Sequence, residues 1–346
     1  MGPMTAVDLP SWTDALPCPL SAGWELVRQQ ALPRRADDGK PLGGFSAAAY
    51  AADEDKLWLL SDAPQGHLVP VRGLARWIQT GRPLEMGLSL MLRRSQGKPL
   101  PVRLDGEGLV LRGDQAWIVS EGHRQHDRPA QLLRVSLRDG RLEQQWDLPR
   151  TWQFSDGFGL ATNKGPESLT SRADGSLLVA AEAPLLQDKS AVGFDQVRLA
   201  AFSLDGGWRE LGSLPIGPAV RSSSMVQGLT ELLALQDHPG VLALVRRYQP
   251  PAQWGARLVL HSGAPVLQPL VGWDLLDAGL PADNWEGLAW GPRLPDGRRT
   301  LVAVSDDNFN PLQRSWVTVL APRHASPFGA QPARSWQCGP GALSVD

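Results

Sequence analysis

The stretch "DNWEGLAWGPRLPDGRRTLVAVSDDNFN", residues 283 to 310, decides the fold. Trp285, Leu288 and Trp290 mark a buried strand, LVAVS at 301 to 305 marks a second, and Asp296-Gly297 between them is a hairpin turn signal. Yet Glu286 stands at the mouth of the first strand, and the second runs straight into Asp306 and Asp307. A buried hairpin with carboxylates gathered at one end must deliver them to a common place.

The same unit recurs in looser form: "FSAAAYAADEDKLWLLSD" (45 to 62), "EGLVLRGDQAWIVSEG" (107 to 122), "ESLTSRADGSLLVAAEA" (167 to 183) and "ELLALQDHPGVLALVRR" (231 to 247). Aligned at Ser46, Glu107, Glu167, Glu231 and Glu286, the five copies repeat about every 60 residues, longer than the usual blade of about 40 to 50 but enough for four strands with long loops. The second copy reads EGLVL, AWIVSE, QLLRVSL and RLEQQWDL, with Asp139-Gly140 turning the last two. The third reads ESLTS, SLLVAAE, QVRLAAFSL and WRELGSLPI, and the fourth ELLALQ, VLALVRR, ARLVLHS and PVLQPLVGW. The fifth supplies only three strands, ending in SWVTVLAP at 315 to 322, so WELVRQQALP at 24 to 33 is the expected outer strand. Such closure removes open sheet edges. The expectation is an all-β chain forming a single β-propeller of five four-stranded blades, the last closed by an N-terminal strand, with six blades as the alternative. A β-sandwich would share the turns and apolar runs but not one repeated acid position.

Composition agrees: the 346 residues include 36 Gly, 30 Pro and 14 Trp, and long runs of 3.6-residue periodicity are scarce. A formal charge of -2 gives no electrostatic footprint for nucleic acid, and no apolar run approaches a membrane span. The expected layout is a tail over 1–20, whose first residues read as a cloning scar, a propeller over 21–325 and a tail over 326–346. Cys18 and Cys338 are too few for a disulfide framework. They are either two unrelated thiols or a staple across the termini, the latter requiring an oxidising compartment.

In a propeller the start of each first strand and the end of each second strand share one face. Two rings follow. The inner ring is Ser46, Glu107, Glu167, Glu231 and Glu286, with Gln227-Gly228-Leu229 offering another register for the fourth blade. Carboxylates converging on an axis must bind protons or surround a cation, or else bond to backbone amides and water. Calcium suits such oxygen donors, magnesium demands stricter geometry, and zinc would want His or Cys. The outer ring is Asp62, Glu121, Glu182, Arg246 and Asp306, extended by loops that carry His123, Arg124, Arg247, Asp307 and Asn308. Arg246, Arg247, Arg124 and Lys164 can orient a phosphate or carboxylate while an acid or a metal activates water, although charged loop residues are most often simply solvated.

"GGFSAAAY", "DGEGLVL", "NKGPESLT", "GLTELLAL" and above all the opening stretch resemble the family called esterase-like activity of phytase, or phytase-like domain, over roughly 24 to 322. The resemblance implies a calcium-associated, exported bacterial propeller, periplasmic or secreted, acting on esters or phosphoesters, and carries the family's glutamates onto Glu107, Glu167, Glu286 and Glu231. The first motif departs, reading GGFSAA where GGLSGL is usual. GFSAA also lacks the last Gly of a nucleophile elbow, and PRHAS around His324 has no Arg-His-Gly core. Three functions compete: a metal-dependent hydrolase of a small anionic or ester substrate, with Glu121, Asp306 or Asp307 activating water and Arg246 and Lys164 holding the anion; a non-catalytic calcium-stabilised propeller that binds a ligand or protein; and a lactonase-type enzyme of sugar acids. A monomer is expected.

Overall fold

The computed structural model describes residues 17–323, except 95–96, 99, 101–103, 123–127, 190–192, 221–224, 237, 264–266 and 278. Two strands lead the chain, β1 (Cys18–Pro19) and β2 (Trp24–Ala31). The first blade follows as β3 (Phe45–Ala51), β4 (Lys56–Ser61) and β5 (His67–Arg72), with the short β6 (Glu85–Met86) and β7 (Leu90–Met91) both pairing β5. The second is β8 (Gly106–Arg112), β9 (Gln115–Ser120), β10 (Gln131–Ser136) and β11 (Leu142–Asp147). The third is β12 (Pro166–Ser171), β13 (Leu177–Ala181), β14 (Phe194–Ser203) and β15 (Gly207–Pro218). The fourth is β16 (Val226–Ala234), β17 (Val241–Gln249), β18 (Gln253–His261) and β19 (Pro269–Asp274). The fifth is β20 (Asn284–Arg293), β21 (Arg299–Asp306) and β22 (Trp316–Pro322), completed by β2 from the other end of the chain.

The five sheets form a β-propeller, which decides for five blades against six. The first strands touch in a closed cycle, β3 to β8 to β12 to β16 to β20 and back to β3. Middle strands such as VLALV of β17 are apolar on both faces because each blade is packed between two others. Five apolar clusters fill the five gaps; Val197, Leu214, Leu229 and Val259, for example, lie between the third and fourth blades. Each fully buried Leu or Val contributes on the order of 1.5 to 3 kcal/mol relative to exposure. Outer strands meet water on one side, and no residue of β11, which reads LEQQWD, is buried.

Two features were not anticipated. The helix α1 (Leu74–Thr80) buries Leu74, Trp77 and Ile78 over the first blade, and glycines in the left-handed region stand at both of its ends. β1 pairs in parallel with β19, setting Cys18 beside Trp273, so the N-terminal segment serves the fourth blade as well as the fifth. Cys18 is buried and disulfide-bonded. Cys338, the chain's other cysteine, lies outside the described residues, as do His324 and both expected tails apart from residues 17–20.

Candidate functional site

Every first strand carries a β-bulge near its start, between Phe45 and Ala47, Gly106 and Gly108, Pro166 and Ser168, Leu229 and Glu231, and Trp285 and Gly287. A bulge leaves one residue unpaired and re-aims its side chain. The residues so placed are Ser46, Glu107, Glu167, Thr230 and Glu286. Four of them, Ser46, Glu107, Glu167 and Glu286, belong to the predicted five-membered inner ring. Ser46 Oγ donates to the Gly106 carbonyl of the next blade at 2.7 Å, and Thr230 Oγ1 reaches the Trp285 carbonyl at 3.3 Å.

Glu231 is the correction. It follows the bulge, where its neighbours have Ala47, Gly108, Ser168 and Gly287, and its carboxyl is engaged by backbone amides. Its Oε1 accepts from the Leu169 amide at 3.2 Å and the Leu232 amide at 2.9 Å, so this buried carboxyl ties the fourth blade to the third. Along a strand a one-residue shift changes the face, which is why the acid of "LTELLAL" missed the ring. Matching Leu232 to Leu109, Leu169 and Leu288 gives the observed register.

The outer ring forms at the second-strand ends. The amides of Asp62, Glu121 and Glu182 donate to the carbonyls of Gly44, Asp105 and Gly165 at 2.8, 2.9 and 2.7 Å, while Arg246 pairs with Gly228 and Asp306 with Asn284. Several of these side chains lean onto the following blade. Glu121 Oε1 accepts from the Gly165 amide at 2.5 Å, and a Cβ on Gly165 would stand 2.0 Å from Glu121 Cγ. Likewise a Cβ on Gly228 would stand 2.3 Å from Glu182 Oε1. Glycine permits both approaches.

Arg246 supplies an internal cation. It donates to Glu286, to Asn284 Oδ1 at 2.6 Å and to Glu182 Oε1 at 3.1 Å. Lys164 Nζ adds a 2.7 Å bond to the same Glu182 oxygen. Burial opposes the Arg246 charge, but Glu286, Glu167 and Glu182 outweigh it and raise the guanidinium further. Both cations are thus bonded to carboxylates, which argues against the predicted anion-holding role.

Even with these cations present, burial disfavours the charged forms of the hub acids. Burial raises the Glu107 carboxyl well above its ordinary range, and Glu167, Glu286, Asp62 and Glu121 add to the effect. Burial and then Glu182 do the same to Glu167. Glu286 is also raised by burial, against the pull of Arg246. Asp62 is pushed up to about 7 by burial and by Glu286, Asp105 and Asp307. Burial pushes Glu121 up to about 7 against its bond from Gly165. Asp306 is raised by burial and by Glu286 and Asp62.

This donor set fits a hard cation. Glu121, Glu167 and Glu182 each bring one carboxylate oxygen within 4.8 Å of the others. Two buried oxygens, Glu182 Oε2 and Asp62 Oδ1, have no hydrogen-bond partner. Unpartnered carboxylate oxygens among acids whose charged forms are disfavoured are what a divalent cation with six to eight oxygen ligands would stabilise.

The remaining predicted residues divide. Asp307 Oδ1 accepts from the amides of Gly44 at 2.9 Å and Phe309 at 3.1 Å, and Asp306 Oδ1 from that of Asn308 at 2.8 Å, so these acids shape the loop at the hub mouth. Arg247 bonds Gln227 and none of the ring acids among the described residues. His123 and Arg124 lie outside the described residues. Sequence reasoning missed Thr230, Asn284 and Asp105. The last two stand two residues before a ring glutamate, in "DGEG" and "DNWEG".

A five-bladed propeller with an acid-lined hub defines the class. The family model described as "Phytase-like: Esterase-like activity of phytase" matches residues 40–309, and the chain belongs to that family. Similar solved structures include a GH43 glycoside hydrolase engineered to display endo-xylanase and exo-arabinofuranosidase activity, at 13% identity and TM-score 0.47 over 86% of this chain and 52% of that one. A bifunctional GH43-CE protein of Bacteroides eggerthii matches at 11% identity and TM-score 0.46, over 85% and 34%. The Neurospora crassa Pan2 WD40 domain matches at 11% identity and TM-score 0.34, over 88% and 97%. The chain spans about half the length of the first of these and a third of the second. No curated protein matches it.

Proposed function

We propose that this protein is an exported, calcium-dependent hydrolase of an ester or phosphoester, acting at the hub on the face where the acids converge. The observation that carries the reading is the Glu121, Glu167 and Glu182 oxygen cluster with its unpartnered Glu182 Oε2. These three residues would hold the ion, with Glu107 beside them. When bound, calcium supplies Lewis-acid polarisation of the ester or phosphoryl oxygen. The protein's own task is to position water and move its proton. Asp306 and Asp307 are committed to loop amides, whereas Asp62 keeps one oxygen free of partners. Asp62 takes a proton from water as the water oxygen bonds to the carbonyl carbon or phosphorus, and returns it to the departing alkoxide. Export agrees with the disulfide at Cys18.

The test is a screen of p-nitrophenyl esters, p-nitrophenyl phosphate and phytate, with calcium and with chelator. Asp62→Asn should lower kcat by about 10² to 10⁴ and leave calcium affinity intact, while Glu167→Gln should lower both. Turnover unchanged in both variants would remove the site. A second reading has its own support, since Arg246 already lies among Glu286, Glu182 and Glu167: calcium then only rigidifies a hub whose face binds a ligand. Calcium that raises the melting temperature, with no turnover of any substrate, selects that reading.

A further inference from the structure

One residue beyond Arg246, the chain presents a cation in the opposite situation. Arg247 lies on the side of the fourth blade that faces the third, in the row that continues through Val245 and Val259 into the apolar cluster shared with Val197 and Leu199. Arg257 stands in the same row: Val245 pairs with Arg257 and Arg247 with Gly255, which makes the two arginines diagonal neighbours. Both are half-buried. Among the described residues neither forms an ion pair within 4.0 Å, although sixteen other pairs do. Arg247 is held in position from behind: its Nε donates to Gln227 Oε1 at 2.7 Å, and Gln227 Nε2 in turn faces Asp195 Oδ2 and the Pro218 carbonyl, both at 3.4 Å. The backbone stands back from it. Gly217, at φ 144°, would place a Cβ 3.1 Å from Arg247 Nη2, and Gly255 would place one 3.6 Å from Arg247 Cβ.

Two guanidiniums brought together in partial burial repel each other: burial and then Arg257 lower Arg247 to about 10 against the pull of Asp195, and burial lowers Arg257 against the pull of Asp274, its partner on β19. A solvated surface arginine has no need of a glutamine brace or of a neighbouring positive charge. An oxyanion between the two would reverse the repulsion, because the planar guanidinium fork matches phosphate and carboxylate oxygens.

We propose that Arg247 and Arg257 form an oxyanion-binding site between the third and fourth blades, beside the hub mouth, for a phosphate or carboxylate group. If the hub hydrolyses esters as inferred above, this site holds an anionic group of the substrate remote from the bond that breaks. That last clause rests on the hydrolytic reading; the binding site does not.

The experiment is calorimetric titration of inorganic phosphate, and separately of acetate, into the full chain kept in chelator so that no hub cation contributes. Phosphate or acetate should bind at one site per chain, and Arg247→Gln and Arg257→Gln should each weaken that binding about tenfold or more. Without anion, Arg257→Gln should unfold close to the temperature of the parent, since the relieved repulsion from Arg247 offsets the lost attraction of Asp274. Arg257→Lys, which keeps charge and loses the fork, should fall between. Absence of binding by either anion, or equal binding by parent and glutamine variants, would overturn the site. Anion binding that persists while the substrate screen is blank would count against the hydrolase alone.

Discussion

Glu231 and Glu167 test the ring at the level of single side chains. Glu231 offers Oε1 to two backbone amides, and no ring acid is among the groups that shift its carboxyl. Glu231→Gln keeps a carbonyl acceptor there and should cost less than about 1 kcal/mol, whereas Glu231→Leu strands two amides at about 1 to 3 kcal/mol each. Neither should change calcium affinity by calorimetry, while Glu167→Gln should lower it about tenfold or more. A loss of calcium binding in Glu231→Gln would restore the register read from the sequence. The four inner-ring residues other than Glu231 were legible because each stands at the mouth of a recognisable strand. The fourth blade misled because its bulge carries Thr230, and the adjacent glutamate imitates the motif one position late. The part played by Arg246 was not legible either, since a sequence shows a charge but not the three acceptors that engage it.

At the scale of elements, the closing strand was read correctly from a deficit: the fifth repeat lacked an outer strand and residues 24 to 33 had no sheet of their own. Its hold on the ring is concentrated in Trp24. That indole is 1% exposed, meets Trp273 edge-on at 5.9 Å, and sits opposite Pro322 on β22. Trp24→Ala should cost about 3 to 5 kcal/mol in urea denaturation. A loss below about 1 kcal/mol would mean that β2 contributes little to closure. The parallel addition of β1 could not be foreseen, because a two-residue strand leaves no periodicity to detect. The helix α1 escaped for a related reason, its seven residues making only two turns.

For the whole molecule, the acids at the hub make stability depend on pH in a direction opposite to that of ordinary surface carboxylates. Asp62 and Glu121 are pushed up from 3.8 and 4.5 to about 7 in the folded protein. Their protonated forms favour the folded state, so that contribution is complete below about 4 and is lost as pH rises through about 7. Chelated protein should therefore show a falling melting temperature between about pH 4 and pH 7, levelling above, and calcium should flatten or reverse the fall. A melting temperature that climbs over this window in chelator would contradict the burial of these groups.

The pairing of β2 with β22 also orders events in time. A strand formed from residues 24 to 31 has no mate until residues 316 to 322 exist, so the beginning of the polypeptide waits for its end. Closing a loop of about 290 residues adds little to the equilibrium cost but slows the search. Until it closes, the fifth blade is one strand short and β22 keeps an open edge, the state in which this chain is most prone to self-association.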